Sequence, residues 1–132
     1  MINRLAPASL RAVPEQYQGI YVHGTQITAL QSFVFLSGQI GVAPNGKTCE
    51  GFDRQCHQAM DNVEALLKDA DLDTSDILRV VYYVTDAVFL PELSKLRQAR
   101  WNQGHPPAVT TLVVAALAAP DLLVEIEVTA AR

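Results

Sequence analysis

Residues 51–70 constrain the fold more than any other part of this 132-residue chain. Phe52, Cys56, Ala59, Val63, Leu66, Leu67 and Ala70 recur at helical spacing along one face, which predicts an amphipathic helix over 51–70. Asp53 in its first turn and Lys68 in its last suit the helix dipole. A stripe of this length needs an apolar surface to lie on, and the segments on either side read as strands that supply one.

Residues 77–85 are β-branched and aromatic, as a strand requires. Pro91 suits the first turn of a second helix running to about residue 101, because its missing N–H is an orphan there in any case. Gly104 and Pro106-Pro107 end that helix. Two more strands are predicted over 109–117 and 122–130. In the last, Val124, Ile126 and Val128 share one face, while Glu125, Glu127 and Thr129 share the other. Earlier, 21–30 and 33–37 read as strands, with glycine-marked loops around Gly38, Gly41 and Pro44-Asn45-Gly46. Residues 1–19, with Pro7, Pro14 and Gly19, read as an irregular arm. The expectation is a single α+β domain over 1–132, with two helices covering one face of a mixed sheet. Its other face is left for a partner or for water.

Composition bears on that open face. Hydrophobic residues make up 49% of the chain and charged residues 18%. This excess implies either a large core or apolar surface hidden against copies of the same chain. The net charge is −4 and the lysines and arginines are scattered, so no footprint for nucleic acid exists. The apolar stretch near 112–120 falls short of a bilayer span, and the N-terminal residues carry no long apolar leader segment. A cytoplasmic protein without a membrane partner is expected. Cys49, Cys56 and His57 are too few for a metal site and read as ordinary side chains with reduced thiols.

Several tracts in register resemble one family. Gly19-Ile20-Tyr21-Val22-His23-Gly24 is similar to the early Gly-Pro-Tyr motif of Rid/YjgF proteins, with isoleucine for proline. Phe35-Leu36-Ser37-Gly38-Gln39-Ile40-Gly41 resembles the Ser-Gly-Gln loop of that family. The helix bearing Ala59, Asp61-Asn62-Val63 and Leu66-Leu67 matches in spacing, as do Pro107-Ala108 and Val124-Glu125-Ile126-Glu127. The resemblance implies a chorismate-mutase-like fold and a homotrimer with a central barrel and clefts between subunits. It also implies cofactor-free chemistry in which water attacks a bound imine or enamine, releasing ammonia.

The carry-over is partial. Tyr21 falls on the pocket tyrosine of the family, and Ser37 and Gly38 on the loop that lines the cleft. Glu125 falls on the glutamate held to orient or activate water. Ser94 stands where an asparagine is usual, on the neighbouring subunit's side, and Thr111 replaces a common cysteine. Val109 occupies the position of the arginine that clamps the substrate carboxylate in the family's deaminases. It offers no charged, bidentate fork, so the ligand is less anionic at that point or is held by different contacts. His23, two residues from Tyr21 and on the same strand face, is a candidate proton carrier, and His105 stands near the expected cleft rim. Arg97 and Arg100 read as solvated helix charges.

The expected function is therefore hydrolysis of a small imine, enamine or related unsaturated nitrogen compound, with no cofactor. A non-catalytic trimer that binds a small metabolite or has a regulatory role is the alternative, with Glu125 then only a polar wall residue. Ribonuclease activity, also attributed to this family, fits poorly with the acidic balance.

Overall fold

In a computed structural model, which describes residues 1–102, 104 and 106–132, strand β7 (Val124–Ala131) sits at the middle of the main sheet. Strand β5 (Ile77–Val84) runs antiparallel along one side of it, and β6 (Ala108–Val113) runs parallel to β5 beyond that. On the other side β7 pairs antiparallel with the short strands β3 (Phe33–Phe35) and β4 (Gln39–Ile40). The sheet is mixed, as expected.

Helices α1 (Phe52–Asp69) and α2 (Leu90–Arg100) lie on one face of this sheet. Along α1, Phe52, Cys56, Ala59, Met60, Val63 and Leu67 are buried, close to the predicted stripe, whereas Leu66 is 39% exposed. Val80, Tyr82 and Val84 of β5 and Val124, Ile126 and Val128 of β7 face the helices and complete the core. Phe52 stacks on Phe89 just before α2, with ring centroids 4.6 Å apart. The buried amide of Gln55 donates to the carbonyls of Cys49 and Asp121 and accepts from the Leu123 N–H, tying two loops to α1. A methyl group at Gly41 would collide with Gln55, so the loop before α1 passes too close for a side chain there.

The arm differs from its expectation in one respect. Ile2–Leu5 form strand β1, which pairs antiparallel with β2 (Gly24–Ile27) in a separate two-stranded sheet. The arm is irregular only after Leu5, apart from a single 3-10 turn at Glu15–Tyr17. The strand expected over 21–30 is accordingly shorter, and Gln39–Ile40, read as loop, adds to β7. Both differences arise because pairing with a distant partner, not local propensity, creates the strand. This two-stranded sheet is fastened to the main sheet by the Thr25 hydroxyl, which donates to the Leu78 carbonyl at 2.9 Å.

Strand alternation leaves most of the second face of the sheet without a covering helix, although Val81 is buried there. Tyr83, Glu125, Glu127, Leu112 and Phe35 lie there by register. Phe35 is 75% exposed, and its ring meets that of Phe33 edge-on at 4.7 Å. Among the described residues no helix is long and apolar enough to cross a membrane.

Candidate functional site

A cleft of about 360 Å³ opens between α2, β6 and the chain leading into β2. Four of the residues singled out from sequence line it: Tyr21, Ser94, Val109 and Thr111. Each arrives for a local reason. Val109 and Thr111 are two apart on β6, and their partners Val80 and Tyr82 face the helices, so both point toward α2. Ser94 lies one residue beyond the fully buried Leu93 on α2, at the margin of its packed face. Tyr21 is placed by its neighbour Val22, whose N–H donates to the Pro107 carbonyl at 2.9 Å and which bridges to Ala108 at the head of β6.

The remaining residues form a second group elsewhere. Glu125 points to the uncovered face of the sheet, opposite Tyr83 in register. The Ser37-Gly38 loop passes directly over it: a methyl group at Gly38 would overlap the Glu125 carboxylate. The loop is held at that height because Leu36 donates to the Val128 carbonyl and Gln39 and Ile40 pair with Ile126 and Glu125. Glu127, on the same face, accepts a hydrogen bond of 2.7 Å from the Tyr83 hydroxyl. That bond to a carboxylate raises the phenol pKa above its ordinary value, with smaller contributions from desolvation and from the Glu127 and Glu125 charges.

Val109 and Glu125 thus lie on opposite faces of one sheet, with β5 between their strands. Adjacent strands are about 4.8 Å apart, so no small ligand touches both side chains of a single copy.

His23 does not line the cleft. Its Nε2 lies 2.7 Å from the backbone carbonyl oxygen of Arg11, and since a carbonyl only accepts, Nε2 is the donor. The ring stands nearly perpendicular to that of Tyr21, centroids 6.2 Å apart. His105 lies outside the described residues.

Two arginines line the cleft, Arg11 and Arg97. Arg97 corrects the expectation of a solvated helix charge. It is 8% exposed, its Nη2 donates to the Ile20 carbonyl at 3.3 Å, and its guanidinium carbon lies 4.8 Å from the Tyr82 ring centroid. Arg100 is not a free surface charge either. It bonds Asp61 at 2.8 Å, Glu64 at 2.9 Å and the His57 carbonyl at 3.0 Å, bracing α2 against α1. Sequence periodicity gave no sign of either, because both burials depend on what the other elements bring alongside α2. Cys56 and His57, adjacent in sequence, part company on the helix: Cys56 is fully buried, and the His57 ring lies beside Arg100.

The family model described as Endoribonuclease L-PSP matches residues 15–132. A RutC family protein of Aquifex aeolicus is 36% identical over 110 residues, covering 82% of this chain and 87% of the relative. The 2-iminobutanoate/2-iminopropanoate deaminase of Salmonella typhimurium is 32% identical over 117 residues, 86% of this chain and 88% of that protein. Among solved structures, the Rid-family protein YyfB of Yersinia pestis aligns with a TM-score of 0.85 over 99% of this chain and 98% of its own, at 23% identity. The YjgF gene product of E. coli gives a TM-score of 0.71 at 31% identity, covering 86% of this chain and 89% of its own.

Proposed function

Because this chain belongs to the Rid/YjgF family, whose model carries the description Endoribonuclease L-PSP, we propose that it is a cofactor-free hydrolase of a small imine or enamine. The cleft at Tyr21, Ser94, Val109 and Thr111 holds the substrate. Glu125 of a neighbouring copy accepts a proton from the attacking water. Water adds to the imine carbon, the proton held by Glu125 passes to the nitrogen, the carbon–nitrogen bond breaks as the hydroxyl proton follows, and a carbonyl compound and ammonia leave with the carboxylate restored.

The observation that carries this reading is the division of the family-matched residues between two faces of one sheet. A second copy must bring its Glu125, with Ser37 and Gly38, to the cleft of the first. The exposed Phe33, Phe35 and Leu112 on the Glu125 face supply apolar area for such an association, and a homotrimer is the assembly we assign. A ribonuclease reading, suggested by the wording of the family description, is disfavoured by a net charge of −4 and by the scatter of the basic residues.

The test is a screen of small imines generated in situ, 2-imino acids by an amino-acid oxidase and uncharged or cyclic imines by an amine oxidase, with semicarbazide competing for the imine. Hydrolysis by the protein lowers the initial rate of semicarbazone formation, because the carbonyl product reacts with semicarbazide more slowly than the imine does. An initial rate unaffected by the protein across 2-imino acids, uncharged imines and cyclic imines would exclude the hydrolase, and the non-catalytic binding protein would take its place.

A further inference from the structure

Among the described residues, the charged groups lining the cleft beside Val109 are Arg11 and Arg97, with no acidic side chain among them. This is notable in a chain whose formal charge is −4. The wall that one copy contributes is therefore cationic and favours an anionic group on the side away from the partner's Glu125.

The two arginines are not equivalent. Arg97 is buried and engaged by the Ile20 carbonyl and the Tyr82 ring, so it acts as a fixed positive charge at the back of the cleft. Arg11 has an exposed side chain and enters the cleft from the N-terminal arm. Its backbone is not loose there. The His23 ring donates to the Arg11 carbonyl at 2.7 Å, and His23 in turn stands edge-on to Tyr21, which lines the same cleft. One backbone contact therefore sets where the Arg11 side chain begins. Arg11 also precedes residue 15, where the match to the family model starts.

We infer that Arg11 takes over the anion-pairing role that Val109 cannot fill, reading a substrate carboxylate from the arm side of the cleft, with His23 as its positioning residue. The inference rests on the reading of the cleft as a substrate site, but not on hydrolysis taking place there. A guanidinium brings a planar fork of donors that matches a carboxylate and holds its charge at every relevant pH. Moving that fork from β6 to the arm turns the ligand around. Its carboxylate lies toward Arg11, and its carbon chain lies along Val109, which becomes an apolar wall.

The experiment is calorimetric titration of the full chain with 2-oxobutanoate, the keto acid that 2-iminobutanoate gives on hydrolysis, and with the uncharged 2-oxobutanamide. The wild type should bind the keto acid at least about tenfold more tightly than the amide. Arg11→Ala and Arg11→Gln should weaken the keto acid severalfold and remove most of that preference, the remainder being due to Arg97, and continued binding of the amide shows that the cleft is intact. Arg11→Lys should restore part of it, keeping the charge without the fork. His23→Ala should weaken the keto acid severalfold, and His23→Gln, which retains a donor, should recover much of the loss. Arg54→Ala, an exposed arginine on α1, should change nothing. Equal binding of keto acid and amide by the wild type, or full keto-acid affinity in Arg11→Ala, would overturn the inference. A protein that hydrolyses no imine but binds the keto acid through Arg11 would refute the hydrolase and uphold this assignment.

Discussion

The hydroxyl of Tyr83 donates to Oε1 of Glu127 at 2.7 Å, and this bond distinguishes two carboxylates that the strand pattern makes look alike. Glu125 and Glu127 share one face of β7. Glu127 is occupied by Tyr83. Glu125 packs against the backbone of Gly38, and no described residue donates to its carboxylate, which leaves it available to a water molecule.

Replacing Glu125 with glutamine keeps size and hydrogen bonding but removes the base. Turnover of an accepted imine should fall about a hundredfold or more, with the melting temperature and assembly unchanged. Glu127→Gln should retain most of the activity. Equal rates for wild type and Glu125→Gln in the semicarbazide competition assay would move water activation to another group.

The uncovered sheet face predicts the oligomer. Light scattering at micromolar concentration should give about three times the chain mass of 14.4 kDa. Phe35, 75% exposed on that face, is the residue to charge. Phe35→Glu should shift the mass toward that of one chain and abolish turnover, while far-ultraviolet circular dichroism stays native. An assembly that survives this change would place the interface elsewhere.

Stability should depend on Gln55 more than a polar helix residue normally warrants. Gln55→Leu leaves the Leu123 N–H and the carbonyls of Cys49 and Asp121 without their partner. The expected loss is about 2 kcal/mol or more, read from urea unfolding. A change within a few tenths of a kcal/mol would show that water replaces the amide.

Burial pushes the Cys56 thiol up to about 12, with the neighbouring charges contributing less. A thiol reagent at pH 8 should therefore label the half-buried Cys49 first and reach Cys56 only on unfolding. The raised folded-state pKa also fixes the sign of the alkaline effect. Below about pH 9 both states keep the proton and stability is unaffected by this group. From the ordinary thiol value of 9.0 to about 12 the unfolded chain loses a proton that the folded chain retains, so stability falls as pH rises. Cys56→Ala should flatten that part of the curve, and an unaltered slope would mean that other groups set it.

Much of this architecture was legible in residue order. The stripe on 51–70, Pro91 at the start of α2 and the alternation from Val124 to Thr129 are short-range patterns, and a helix or strand period converts them directly into faces. Ser94 lies on the second helix and Val109, Thr111 and Glu125 lie on strands, as their periodicity predicts, whereas Tyr21 precedes β2 instead of lying in a strand. Their separation into two groups was not apparent, because it depends on how β6, β5 and β7 are ordered and registered. Strand β1 has no local signature, because it exists through its pairing with Gly24–Ile27. Arg97 reads as a surface charge on a polar helix, and its burial comes from Tyr82 and Ile20, which the fold brings alongside it. Arg11 carries no signal in the sequence, since a lone arginine in an arm has no period, and its place beside the cleft, with its carbonyl held by His23, comes from the folded arm. Periodicity is set by neighbours along the chain, whereas a binding site is set by residues tens of positions apart, and those meet only once the chain has folded.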